Sequence, residues 1–142
     1  MSNTLRLWLG ALLLCSGIAF AQQQPQWTVI AAVKVVNQTA PIAPVTLFTP
    51  TQTLGLYRVT AYIAEKGHQG TQWRLSIGYT DSSTGVPGAA SISVEAGEAV
   101  LDPTPFSPKP GTPVSYDVDL GSGEVPYSFM FAIEQLKLPS TR

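Results

Sequence analysis

The sequence predicts an all-β fold, a single antiparallel β-sandwich of about eight strands in a jelly-roll-like arrangement. Apolar and polar residues alternate with period two in several runs, which is typical of strands with one buried face. Most of the 12 prolines and 12 glycines fall between the apolar runs, so a helix of normal length has no uninterrupted room. Seven or eight strands at intervals of roughly 8–15 residues indicate a sandwich or a jelly roll.

Five runs alternate and are predicted to be strands with one buried face. They span residues 56–64, 72–80, 113–120, 127–133 and, less regularly, 90–95. Most aromatic residues share the parity of the buried aliphatic residues and are therefore predicted to lie in the core. These core aromatic residues are Trp73, Tyr79, Tyr116, Tyr127, Phe129 and Phe131.

Three further runs are predicted to be strands on weaker patterns. Residues 27–36 are almost continuously apolar, which predicts a strand buried on both faces or across an interface, although the pattern also fits a helix. Residues 45–49 and 99–102 are short and are predicted to be edge strands. Between the runs, residues 65–70 fit a hairpin loop and residues 81–88 a longer loop. The five prolines or glycines in residues 102–111 predict a crossover, because proline cannot donate to a central ladder.

The first 21 residues have the layout of a secretory signal peptide. Arg6 opens a polar segment, residues 7–18 are apolar, and Ala19 and Ala21 are the small residues that a signal peptidase reads before Gln22. The apolar run is shorter than the roughly 20 residues that span a bilayer. We therefore expect export, cleavage after Ala21, and a secreted or periplasmic product that is not embedded in a membrane.

Cys15 is the single cysteine, and it lies within the predicted signal peptide. It would be the lipid acceptor if this were a lipoprotein signal, but Leu14 stands where that signal needs a small residue. Cleavage after Ala21 is favoured, and it leaves a product without a thiol, a disulfide or a thiolate metal site.

We predict four segments: a signal peptide at 1–21, a disordered leader at 22–26, the β-sandwich at 27–138 and a tail at 139–142. Beyond residue 21, seven Lys and Arg stand against nine Asp and Glu, a net charge of −2. Charge is sparse and mixed, and no basic stripe is available to neutralise a phosphate backbone. Nucleic-acid binding is therefore not expected.

The run Phe48-Thr-Pro-Thr-Gln-Thr-Leu-Gly-Leu-Tyr-Arg-Val59 resembles part of the C1q and tumour-necrosis-factor-like jelly rolls, as does the aromatic strand at residues 127–133. The match covers about a fifth of the chain. It departs from the family at the position of Pro50, at Val59 and in a last strand without glycine. The segment Gly55-Leu-Tyr-Arg-Val59 also resembles strands of small uncharacterised secreted bacterial β-sandwich proteins. The family resemblance implies a ten-stranded jelly roll, trimerisation and a binding role.

Four residues are candidates for a ligand-binding surface. Arg58, Tyr62 and Arg74 would share one outward face if their strands were neighbours, and a small anion or a sugar would bind there. Trp27 and Tyr62 fall outside the core stripes and are the candidates for an exposed aromatic platform. The alternative is a polar face that water simply solvates, as is common in antiparallel sheets.

Acidic residues supply the candidate metal ligands. Asp117 and Asp119 lie two residues apart on one polar strand face and would hold calcium, or act as an acid–base pair on a glycoside. The alternative is a charged face that discourages edge-to-edge pairing. Glu95, Glu98 and Asp102 form a second acidic cluster, with no stronger case.

Catalysis has little support in the sequence. His68 is the only histidine and lies in a predicted loop. The chain has no Gly-x-Ser-x-Gly motif and no set of histidines for a metal. We expect no cofactor and no enzymatic activity.

The leading hypothesis is an exported domain that binds a protein or glycan, or assembles with copies of itself, for example as a trimer. A carbohydrate-binding or lectin-like module is the second hypothesis, and a small secreted hydrolase is the third.

Overall fold

The computed structural model describes residues 24–51, 55–66, 72–122 and 125–138, and within these ranges the chain forms eight strands. In chain order they are β1 (Gln26–Gln38), β2 (Ile42–Phe48), β3 (Tyr57–Glu65), β4 (Gln72–Thr80), β5 (Pro87–Val94), β6 (Gly97–Phe106), β7 (Val114–Ser122) and β8 (Tyr127–Lys137).

The strands form two four-stranded antiparallel sheets. Sheet A has the order β1-β8-β3-β6, and sheet B has the order β2-β7-β4-β5. The chain passes repeatedly from one sheet to the other, which is the double Greek key of a jelly roll. The predicted fold class is therefore confirmed, with eight strands in the described ranges rather than the ten that the C1q-like resemblance implied.

The core lies between the sheets and follows the predicted period-two pattern. In β3 every second residue from Tyr57 to Glu65 is buried. In β4 the side chains of Trp73, Leu75 and Ile77 are almost completely buried, and Tyr79 is half-buried. Because alternate residues of a strand point to opposite faces, the same pattern leaves each sheet with a second, outward face.

The prediction that residues 27–36 are buried on both faces is wrong. β1 lies at the edge of sheet A and pairs only with β8. Val29 and Val36 are 56% and 58% exposed, while Ala31, Val33 and Val35 pack against the core. The run is apolar because one face meets the core and the other carries exposed aliphatic side chains, with a bulge between Val29 and Ala31.

Two loop predictions are also corrected. The crossover predicted at residues 102–111 begins later, because β6 continues through Pro103 and Pro105 to Phe106. An edge strand tolerates proline, because the backbone N–H groups on its open side have no neighbouring strand to hydrogen-bond. The segment predicted as a hairpin loop at residues 65–70 joins β3 of sheet A to β4 of sheet B, and Glu65 belongs to β3.

Several predictions fall outside the described residues. These are the signal peptide with Cys15, Ala19, Ala21 and Gln22, and the loop histidine His68. In the part of the chain that the structure describes, no helix is long and apolar enough to cross a membrane.

Candidate functional site

The outer face of sheet A is arranged in transverse rows of registered residues. In the first row, Lys34 of β1 pairs with Met130 of β8, which pairs with Tyr62 of β3, which pairs with Val100 of β6. Met130 and Val100 are 52% and 66% exposed. This row therefore forms a ridge of long, mostly apolar side chains that ends in one cation.

The next row is built from small residues and forms the floor of a groove. Ala32 pairs with Ala132, which pairs with Thr60. On β6 the register shifts at this level, so that Asp102 and Pro103 together oppose Thr60. A β-bulge of this kind places two residues against one and redirects their side chains.

Residues of these two rows line a groove of about 430 Å³ on the outer face of sheet A. Most of its lining is apolar, and Lys34 and Asp102 lie on its two opposite edges, on β1 and β6. The volume falls within the range of small-molecule sites. The groove is open to solvent, so it suits an extended ligand or a protein surface better than an enclosed substrate.

A charged cluster occupies the adjacent end of the same face. The Nε of Arg58 donates to Oε2 of Glu134 at 2.5 Å, across the β3–β8 pairing. The guanidinium carbon of Arg58 lies 4.3 Å from the centroid of the Trp27 ring. This cation–π contact covers one face of the indole. Only the other face of Trp27 can therefore contact a ligand.

Tyr62 is fixed at the groove by an acidic partner. Its hydroxyl donates to Oε2 of Glu98 at 2.7 Å. This hydrogen bond raises the pKa of Tyr62, because the carboxylate stabilises the protonated phenol. Three of the four predicted ligand-binding residues, Trp27, Arg58 and Tyr62, thus lie on one face.

The fourth, Arg74, lies on the opposite side of the molecule. β3 and β4 belong to different sheets, so the condition for a face shared by Arg58, Tyr62 and Arg74 is not met. On the outer face of sheet B, the Nη2 of Arg74 donates to Oδ2 of Asp119 at 2.7 Å. Asp119 raises the pKa of Arg74 through this hydrogen bond.

The predicted metal pair lies on the same outer face of sheet B. Burial raises the pKa of Asp117, and the neighbouring charge of Asp119 adds to the effect. Asp119 is already paired with Arg74, and within the described ranges no group of three or more His, Cys, Asp or Glu residues could hold a metal ion. Of the second acidic cluster, Glu98 is engaged by Tyr62, and Glu95 and Asp102 are exposed.

Glu65 is a titratable group that the sequence analysis missed. Its side chain is buried at the end of β3, at 5% exposure, and neither carboxylate oxygen has a hydrogen-bond partner among the described residues. Burial raises its pKa, because an unpaired carboxylate is costly away from water. The signal was available, since the inward parity of residues 57–63 continues to residue 65.

The chain was compared with known proteins by sequence and by structure. No family model matches it, and no curated protein matches it by sequence. One similar solved structure is a chain from the disulfide-linked pili of Bacillus endospore appendages. It has a TM-score of 0.45 and 15% identity, and the match covers 84% of this chain and 95% of that chain.

A second similar structure contains the CBM22-1 and GH10 modules of endo-1,4-β-D-xylanase 10B from Clostridium thermocellum, in complex with xylohexaose. It has a TM-score of 0.36 and 16% identity, and the match covers 83% of this chain and 25% of that chain. At these values neither similarity bears on the function of this chain. Neither structure is a C1q or tumour-necrosis-factor-like domain, so that resemblance stays a prediction.

Proposed function

We propose that this chain is an exported, non-enzymatic domain that works by binding or assembly, and that the outer face of sheet A is its binding surface. The observation that carries the proposal is the difference between the two outward faces. A solvated sheet face is ordinarily polar, and only one of the two has that character.

The outer face of sheet B is polar, as expected for a solvent-exposed sheet face. Its central positions are Arg74, Ser76, Ser115, Asp117 and Asp119, and its main contact is the Arg74–Asp119 ion pair. Both partners of that pair are more than half exposed. An exposed ion pair of this kind contributes little to stability or affinity.

The outer face of sheet A instead presents apolar side chains to solvent around a groove. Val29, Val100 and Met130 are each more than half exposed, and Ala32, Ala132 and Pro103 lie between them. A contiguous apolar patch rimmed by charged residues is a mark of an interaction surface. Lys34 and Asp102 at the two edges would set the orientation of whatever binds.

A non-catalytic role fits the distribution of ionisable groups on this face. Arg58 is held by Glu134, and Tyr62 is held by Glu98. Lys34 and Asp102 stand on the two outermost strands of the sheet. A nucleophile and its activating base must lie within hydrogen-bond reach of each other, and a general acid and a general base must both reach the reacting bond, whereas Lys34 and Asp102 are three strands apart.

Carbohydrate binding is the second candidate function. The observation that favours it is that Trp27 and Tyr62, which among the described residues are the aromatic residues outside the core, lie on the same outer face of sheet A as the groove. An aromatic ring beside an open groove offers an apolar surface to the C–H groups of a sugar ring. Asp102 and Lys34, on opposite edges of the groove, would hydrogen-bond hydroxyls on different sugar units of an extended glycan.

Matched arginine substitutions test the proposal on protein recovered from expression of the full chain. Thr60→Arg fills the groove floor, and Ser76→Arg places the same side chain at the centre of the outer face of sheet B. Both variants are first checked for an unchanged thermal transition. They are then compared with the parent on a glycan array, on an extended-peptide library and in light scattering.

We expect each interaction of the parent to be lost in Thr60→Arg and retained in Ser76→Arg. Interactions that survive Thr60→Arg and disappear in Ser76→Arg would place the binding surface on the other sheet. Glycan binding that depends on Tyr62 would favour the second candidate.

A further inference from the structure

We propose that the partner of the outer face of sheet A is a second copy of this chain, packed face to face about a two-fold axis. The axis runs along the strands, between β3 and β8. This inference rests on the proposed function, because it takes the outer face of sheet A as the binding surface and names what covers it.

The strand order determines which residues of the two copies would face each other under this symmetry. A two-fold axis between β8 and β3 lays β8 of one copy over β3 of the other, and β1 over β6, because the sheet order is β1-β8-β3-β6. Each transverse row then meets its own copy in reverse order. An isologous interface needs a surface that complements itself under this reversal.

The charged row meets that requirement. Its order is Val29, Glu134, Arg58, Pro105. Reversal sets Arg58 of each copy against Glu134 of the other, and Val29 against Pro105. The two ion pairs would form a closed square of alternating charge, and the outer positions pair apolar with apolar. Like charges directly opposite would instead disfavour the contact.

The ridge row complements itself in polarity, and the groove floors of the two copies then face each other across the groove. Its order is Lys34, Met130, Tyr62, Val100, so reversal sets Met130 of each copy against Tyr62 of the other. A flexible thioether against an aromatic ring is a favourable contact. Lys34 is then opposite Val100 of the second copy. On β6, Val100 lies between Glu98 and Asp102. Each lysine thereby faces two carboxylates of the other copy.

The area of the face matches a weak, reversible contact. Four strands about 4.8 Å apart, with about nine residues at roughly 3.3 Å each, give a face of about 19 by 30 Å. Two such faces bury at most about 1,100 Å², which exceeds the roughly 1,000 Å² expected of a biological interface but falls below the about 1,200–2,000 Å² of stable complexes. We therefore expect a reversible dimer rather than an obligate one.

Charge complementarity favours this face over pairing at the sheet edge. β1 is an open edge strand without proline, and edges of this kind can pair with another chain. Its only charged residue is Lys34, so β1 against β1 of a second copy offers that lysine no acidic partner. The outer face of sheet A supplies one from β6.

The test is a charge exchange followed by native mass spectrometry and light scattering of protein recovered from the full chain. Lys34→Glu and Asp102→Lys each place like charges at both symmetry-related contacts of a homodimer. Mixed together, the two variants form a heterodimer in which one contact has the original pair and the other has the reversed pair. Arg74→Glu and Asp119→Lys are the matched controls on the outer face of sheet B.

We expect the parent to dimerise, and each groove variant to dimerise about tenfold more weakly or worse. The equimolar mixture should yield mainly the heterodimer, and the two control variants should behave like the parent. A monomeric parent at all concentrations overturns the dimer. In that case the Thr60→Arg comparison on glycans and peptides still decides the proposed function independently.

A parent dimer that neither groove variant weakens also overturns the inference and points to the β1 edge. A dimer that both variants weaken but that mixing does not restore overturns the two-fold arrangement, because the reversed pair would then not be in contact.

Discussion

Trp73 of β4 and Tyr127 of β8 join the two sheets, with ring centroids 4.0 Å apart. The Nε1 of Trp73 donates to the carbonyl of Val125 at 3.2 Å, and the Tyr127 hydroxyl donates to the carbonyl of Ala40 at 2.8 Å. Each ring thus has an apolar body in the core and a polar atom bonded to the backbone of a loop. The pair ties the β1–β2 and β7–β8 connections to the core at one end of the sandwich.

Tyr127→Phe should destabilise the domain by about 1 kcal/mol, because it removes a part-buried hydrogen bond and leaves the Ala40 carbonyl without it. Burial raises the pKa of Tyr127 to about 12, so the hydroxyl stays protonated and donating at physiological pH. Urea denaturation measures the loss. Tyr116→Phe is the control, since the Tyr116 hydroxyl has no hydrogen-bond partner among the described residues, and an equal loss in both variants would contradict the role of Ala40.

The pH dependence of stability should reveal Glu65. Its pKa in the folded chain is raised above the usual 4.5, so the unfolded chain ionises first. Stability should fall as the pH rises from about 4.5 through the raised value, and should then level off. Glu65→Gln cannot ionise and should remove this slope in denaturant titrations between pH 4 and pH 8. The exposed Glu95→Gln is the control, and an unchanged slope in Glu65→Gln would show that the carboxyl is not buried in solution.

Asp81 should make the domain less stable as the pH falls, which is opposite in sign to the effect of Glu65. Its Oδ1 accepts hydrogen bonds from the backbone amides of Ser83 and Thr84 and from both side-chain hydroxyls. These bonds lower its pKa to about 2, with the Ser83 hydroxyl contributing most. The stabilisation is present above the usual value of 3.8 and is lost as the pH falls toward 2. Asp81→Asn should flatten thermal stability over that window, whereas the exposed Glu95→Gln should leave the parent slope intact.

The layout of the first 21 residues predicts that the exported protein begins at Gln22, because Ala19 and Ala21 form the cleavage signal. Intact-mass measurement of the exported protein checks this. Ala21→Leu should impair processing, since the small side chain at the cut is lost, and Ala11→Leu in the apolar segment is the control. A lipidated product that begins at Cys15 would replace this assignment with the lipoprotein alternative.

The fold could be predicted from the sequence because the period-two pattern records which side chains face the core. Alternation within residues 56–64 predicts that Tyr57, Val59, Ala61 and Ile63 face inward, and all four are buried. The length of β6 could not be predicted in the same way. Pro103 and Pro105 are compatible with a strand only at a sheet edge, and the strand order that makes β6 an edge depends on long-range pairing.

The candidate site could be predicted only in part. Alternation placed Arg58 and Tyr62 on an outward face, which is where they lie. It could not show that Arg74 belongs to the other sheet, since that depends on a chain crossing between β3 and β4. The groove was also beyond sequence reasoning, because it depends on a bulge at Asp102 and Pro103 opposite Thr60 and on residues from four strands.

The most direct test of the binding surface is a residue-by-residue NMR footprint of the full-chain product, recorded over a dilution series and again with any glycan or peptide that binds. We predict that the shift changes concentrate at Lys34, Thr60, Tyr62, Met130 and Asp102, and that the amides of Arg74, Ser76 and Asp117 stay unchanged. Changes confined to the outer face of sheet B, or to the loops at the ends of the sandwich, would contradict the assignment of the outer face of sheet A as the binding surface.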